Sequence, residues 1–140
     1  MSRTLALDPG TKRIGVAISD PTRTLARPLP LLPATPFNAF CDALSTLVRD
    51  HEIDLILIGL PRNMDGSYGP AAERTREFAA RLKERILIPI QLVDERLTTV
   101  MASRQLHESG LNTRQQKSKI DSAAAQVLLQ SYLDGQAPLP

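Results

Sequence analysis

The sequence is poor in the residues that would make it secreted, membrane-bound or a zinc protein. It has one cysteine and two histidines among its 140 residues, too few for an internal disulfide or the usual His/Cys zinc site. Cys41 falls in helical phase with Phe37, Leu44 and Val48, and so reads as a packed core thiol in a reducing compartment. No apolar run approaches the ~18 residues of a membrane-spanning helix. The first residues enter a strand pattern without the basic and long apolar segments of a signal peptide. No repeat or low-complexity tract is present. The expectation is a cytoplasmic protein without membrane contact. It reads as one domain over residues 1–135 with a tail at 136–140, long enough to bury a core.

The net charge of +2 is small, but its distribution is uneven. Residues 1–27 carry five Lys/Arg against two Asp/Glu, residues 96–119 five against one, and residues 28–95 seven against ten. Two basic segments are compatible with a nucleic-acid partner. They are equally compatible with ordinary solvated surface.

Apolar patterning predicts strands over residues 4–8 and 13–19, joined by Pro9-Gly10-Thr11-Lys12 as a hairpin. Four prolines within 28–36 predict an extended edge strand or loop. Thr35 then reads as an N-cap with Pro36 at the first helical position, followed by an amphipathic helix over 36–50. Asp54–Gly59 is apolar without alternation, as in a strand covered on both faces. A Gly/Pro/Asn-rich loop over 59–70 leads to a helix at 71–85, with Ala71, Phe78, Ala79, Leu82 and Ile86 expected on one apolar face, and a short strand at 90–93. Further expectations are a helix from Thr98 or Thr99 to Gly110, a mobile polar loop at 111–117 and a final helix at 118–133. This order predicts an α/β domain whose sheet opens antiparallel and continues parallel, with sites at the carboxyl ends of strands.

Three acids stand out. Asp8 interrupts an apolar strand, where a charge needs a partner or a metal, although an Asp before Pro-Gly also fits a self-bonded turn. Glu95 follows a strand end, and taken alone, pairing with Arg96 or capping of the next helix is its leading explanation. Asp121 matches the fourth position of a Ser118-x-x-Asp capping box, yet shares a helix face with Ala124, Ala125, Leu128 and Tyr132. Three converging carboxylates require a cation, and an oxygen-only set selects Mg²⁺ or Mn²⁺. Two such ions about 4 Å apart are the usual device for phosphodiester hydrolysis.

Four motifs carry a resemblance. They are Leu7-Asp8-Pro9-Gly10-Thr11-Lys12-Arg13-Ile14-Gly15-Val16-Ala17; Gly59-Leu60-Pro61 with Asp65-Gly66-Ser67; Val93-Asp94-Glu95-Arg96-Leu97-Thr98-Thr99; and Lys119-Ile120-Asp121-Ser122-Ala123-Ala124-Ala125. In order and spacing they resemble the YqgF family, also described as pre-16S rRNA nucleases or Holliday-junction-resolvase-like proteins. The resemblance implies an RNase H-like fold: a mixed five-stranded sheet with helices on both faces. It also implies metal-dependent trimming of the 5′ end of precursor 16S rRNA, with Asp8, Glu95 and Asp121 as metal-binding catalytic acids.

Lys12, Arg13, Arg62, Arg96, Arg114, Lys117 and Lys119 are candidate phosphate contacts, with plain surface charge or loop architecture as the alternative. Besides precursor rRNA, the assembling small ribosomal subunit is a possible partner. Alternatives to the rRNA nuclease are a resolvase of four-way DNA junctions and a non-catalytic RNA-binding assembly protein. Actin-like ATPases open with a similar strand motif, but need a second domain and phosphate loop for which there is no room. His51 and His107 receive no role.

Overall fold

A computed structural model of the protein describes residues 2–63, 65–94 and 113–136, with side chains of the last helix described over 123–135. Strands β1 (Arg3–Pro9), β2 (Arg13–Ser19), β3 (Ala26–Pro33), β4 (Ile53–Leu60) and β5 (Ile90–Asp94) form one sheet in the order β3-β2-β1-β4-β5. The β1–β2 and β2–β3 pairs are antiparallel; β1–β4 and β4–β5 are parallel. The helices are α1 (Phe37–Asp50), α2 (Pro70–Lys83) and α3 (Thr113–Gln136).

Strand alternation divides the core in two. Leu5, Leu7, Val16, Ile18, Ile56 and Ile58 face α1 and α2, packing with Phe40, Cys41, Leu44, Ala79 and Leu82. Ala6, Ala17 and Leu57 face the other way and pack with Ala125, Leu128, Leu129 and Leu133 of α3. Each such Leu or Ile, fully buried, contributes roughly 1.5–3 kcal/mol. Ala6 and Ala17 are register partners across β1 and β2, so α3 rests on the smallest side chains of the sheet. Its polar side anchors to β3: Gln130 accepts from the Ala26 amide at 2.9 Å and donates to the Thr24 carbonyl at 2.9 Å. Gln126 donates to the Ala26 carbonyl at 3.2 Å.

The Pro-rich stretch is an edge strand, paired on one side only, where missing amide donors do no harm. Cys41 is buried, and desolvation raises its thiol pKa. Three sequence expectations are corrected. Pro36, extended at φ −69°, is itself the N-cap residue of α1, so Thr35 caps nothing. α2 buries Ala72 and Thr75, whereas Ala71 is exposed. Residues 113–117 are helical, not a loop: Arg, Gln and Lys are good helix formers, and polarity alone does not make a loop. Ser118 and Asp121 therefore lie inside α3 and form no capping box, and Lys119 is six residues into the helix. The helix expected to end at Gly110 lies outside the described residues, as does His107. His51 closes α1 and meets Arg3 Nη1 at 3.2 Å.

The β2–β3 turn is organised by Asp20. Its carboxylate accepts from the Thr22 hydroxyl at 2.5 Å, the Thr24 amide at 2.8 Å and hydroxyl at 3.0 Å, and the Leu25 amide at 3.1 Å. These donors, the Thr22 hydroxyl foremost, hold it far below the usual carboxylate range. A depressed native pKa adds stability that is complete above the unfolded value of 3.8 and is lost as pH falls from there through the native one. The Thr24 and Leu25 amides should therefore keep their hydrogen-exchange protection down to about pH 4 and lose it only on further acidification. Loss already at pH 6 would refute the assignment.

Candidate active site

The three parallel strands β1, β4 and β5 bring their carboxyl ends, Pro9, Leu60 and Asp94, to one edge of the sheet. Asp8 lies at that edge, half-buried, opposite Gly15 of β2. Two residues beyond Ala6, it falls on the α3 face by strand alternation. The turn behind it closes by a hydrogen bond from the Gly10 amide to the Arg13 carbonyl at 2.9 Å. A Cβ at Gly10 would stand 2.6 Å from that carbonyl oxygen, so the turn requires glycine. Lys12 and Arg13 on the turn are exposed.

The course of α3 is fixed by its glutamines. Gln130 reaches Thr24 and Gln126 reaches Ala26, so the helix followed toward its N-terminus runs along β3 toward Pro33. That end of β3 pairs with Arg13, and Ile14 pairs in turn with Pro9. One helical turn covers ~5.4 Å and a strand residue ~3.3 Å. The next turn back brings positions 121–122 to the level of Pro28 and Leu29, register partners of Ala17 and Val16, themselves opposite Ala6 and Leu7. The Asp121 side chain lies outside the described residues, as do those of Arg114, Lys117 and Lys119. Glu95 and Arg96, next in the chain after β5, lie outside them altogether. Val93 packs on the α3 side of the sheet. Among the described residues, no three His, Cys, Asp or Glu side chains come together as a metal site.

Arg62 is built into a latch. Its Nη1 donates to Asp94 Oδ2 at 3.0 Å and its Nε to the Gly66 carbonyl at 2.5 Å, while the guanidinium lies 5.1 Å from the centre of the Tyr68 ring. The hydrogen bond to Asp94 raises its pKa. Gly66, at φ 90°, supplies the left-handed residue of the loop. Asp65 accepts from the Ser67 hydroxyl at 2.6 Å and amide at 2.9 Å, bonds that lower its pKa. The loop after β4 is thus tied to the end of β5. Loop architecture, the sequence alternative for Arg62, is what these bonds perform. The Asp94 partner was not legible, because the two residues are 32 positions apart and only the β4–β5 pairing joins them.

The sheet order, the helices on both faces and an acid at the end of the central strand define an RNase H-like fold, the fold of a class of nucleases. Two solved structures share it: the Fowlpox virus resolvase in complex with Holliday junction DNA, with a TM-score of 0.55 at 11% identity over 97% of this chain and 99% of that one; and T. thermophilus RuvC in complex with a Holliday junction substrate, with 0.52 at 11% identity over 97% and 96%. The family described as RuvX, Holliday junction resolvase, matches residues 2–135, and the chain belongs to that family. Relatives in Roseiflexus sp. (44% identical; 96% of this chain, 95% of the relative) and Moorella thermoacetica (46% identical; 94% of each) carry the name "Putative pre-16S rRNA nuclease". No described helix is long and apolar enough to cross a membrane.

Proposed function

We propose that the protein is a divalent-metal-dependent endonuclease that processes the 5′ end of precursor 16S rRNA, with Asp8, Glu95 and Asp121 as the acids that hold Mg²⁺ or Mn²⁺. The observation that carries this reading is Asp8, half-buried at the carboxyl edge of the sheet on the face covered by α3. Two further features support the trio. Asp121 occupies the helix position one turn before Ala125, on the side of α3 that runs back toward the Asp8 edge. Glu95 comes two residues after Val93, whose side chain lies on the α3 side of the sheet. The donors are oxygens only, a set that suits hard cations and excludes zinc of the usual kind.

Bound there, the metal would supply activation of the attacking water and stabilisation of the leaving oxygen. The chain's own residues supply the rest. The Gly10 turn presents Lys12 and Arg13 beside Asp8 to take substrate phosphates. Arg62 acts through the loop it fastens to Asp94, next to Glu95. Arg96, Arg114, Lys117 and Lys119 are further phosphate contacts, and the assembling small ribosomal subunit is the setting in which the precursor is met.

RNA is favoured over junction DNA because the rRNA name belongs to relatives 44–46% identical, whereas the junction-bound structures share the fold at 11% identity. The family description keeps junction resolution as the second reading. A cleavage assay with precursor 16S rRNA and a four-way DNA junction, in Mg²⁺, in Mn²⁺ and in EDTA, separates them. The expected result is metal-dependent cutting near the 5′ end of the RNA and no resolution of the junction. Resolution of the junction without cleavage of the RNA would replace the first reading by the second. Equal cleavage in EDTA would refute metal dependence.

A further inference from the structure

A second feature shares the Gly10 turn with Asp8 but opens on the opposite face of the sheet. Pro9, Gly10 and Thr11 form one wall of a cleft of about 500 Å³ whose other side is α2, within the ~300–1,000 Å³ of typical ligand clefts. Its floor is apolar, with Ile14, Phe37 and Phe78 among the residues lining it, and its α2 side carries Arg74 and Arg81. Among the described residues, no carboxylate lines it. Arg81 is held over the Phe37 ring at 4.0 Å. Arg74 is exposed and, among the described residues, makes no ion pair or hydrogen bond; its neighbour Arg76 is engaged with Glu73 at 2.6 Å.

An apolar floor edged by cations, with no acid among its described lining residues, suits a single-stranded polynucleotide, with bases toward the floor and phosphates on the arginines. Continuity points the same way, because a strand whose phosphate lies at Asp8 needs only to cross the Gly10 turn to enter the cleft. We propose that this cleft binds the single-stranded segment of the substrate adjoining the cleavage point. The assignment rests on the nuclease reading for the identity of that segment, but its test does not depend on cleavage.

Binding of a fluorescein-labelled twelve-nucleotide single-stranded RNA to the full chain is measured by anisotropy in EDTA at several salt concentrations. Each phosphate contact contributes a slope of about −0.7 in log K against log salt. Arg74→Gln should weaken binding severalfold and make the slope shallower by about 0.7. Arg74→Gln with Arg81→Gln should make it shallower by about 1.4. Circular dichroism of each variant establishes that it is folded. An unchanged affinity and slope in the folded double variant, or no RNA binding by the wild type, would overturn the proposal. If the wild type binds RNA through these arginines yet cuts nothing in Mg²⁺ or Mn²⁺, the cleft assignment stands and the nuclease reading fails.

Discussion

Asp8→Asn is expected to abolish metal-dependent cleavage while leaving the fold intact. The substitution keeps the size of the side chain and removes one negative charge from the sheet edge. A metal held by the carboxylates would stabilise transition-state charge by several kcal/mol, so a loss of about 10³-fold in kcat, or ~4 kcal/mol, is the expected scale. Glu95→Gln and Asp121→Asn should behave alike, because groups that hold one metal cluster act as a unit and their losses do not add. The metal-free variants should melt no lower than the wild type, since removing one of several neighbouring acids relieves repulsion. Single-turnover cleavage, with thermal melts in EDTA, reads both quantities. Variants that cut as fast as the wild type would refute the metal-binding trio. A lower metal-free Tm in all three would identify structural roles instead.

Ala125→Leu should give the largest loss of stability among conservative changes on α3. Ala125 is fully buried in one cluster with Ala6 and Ala17, and the three small side chains let the helix lie close to the sheet. A leucine there adds three carbons at a position with no exposed surface, and overpacking costs about 1–3 kcal/mol. The helix would have to lift from the sheet, and with Asp121 in the proposed trio, cleavage should fall further than the fraction of unfolded protein accounts for. Ser131→Leu, on the exposed side of the same helix, should change stability by no more than about 0.5 kcal/mol. Urea denaturation with an unchanged m-value is the measurement. An Ala125→Leu protein as stable and as active as the wild type would show that α3 is not held at close approach.

Much of this protein is legible in its residues. The alternation of Leu5, Leu7 against Ala6, Asp8 fixes which side chains share a face, because the period of a strand is two. The unbroken apolar run of β4 fixes its place between helical layers, since only a strand covered on both faces can bury every residue. Asp8 itself is visible as an acid in an apolar strand. The start of α3 was misplaced because its first residues are polar, and helix formation there depends on propensity and length more than on an apolar stripe.

The tertiary structure decided what pairing alone can bring together. Asp94 and Arg62 meet only because β5 lies beside β4. The direction of α3 relative to Asp8 follows from two glutamine contacts, with Thr24 and with Ala26, about a hundred positions away in the chain. The cleft behind the Gly10 turn is assembled from that turn, the β3–α1 segment and α2, and no local pattern encodes such a meeting. Local sequence sets which face a residue takes, because backbone period is a local property. Which faces then meet is set by burying apolar surface over the whole sheet, and that is a property of the chain as a unit.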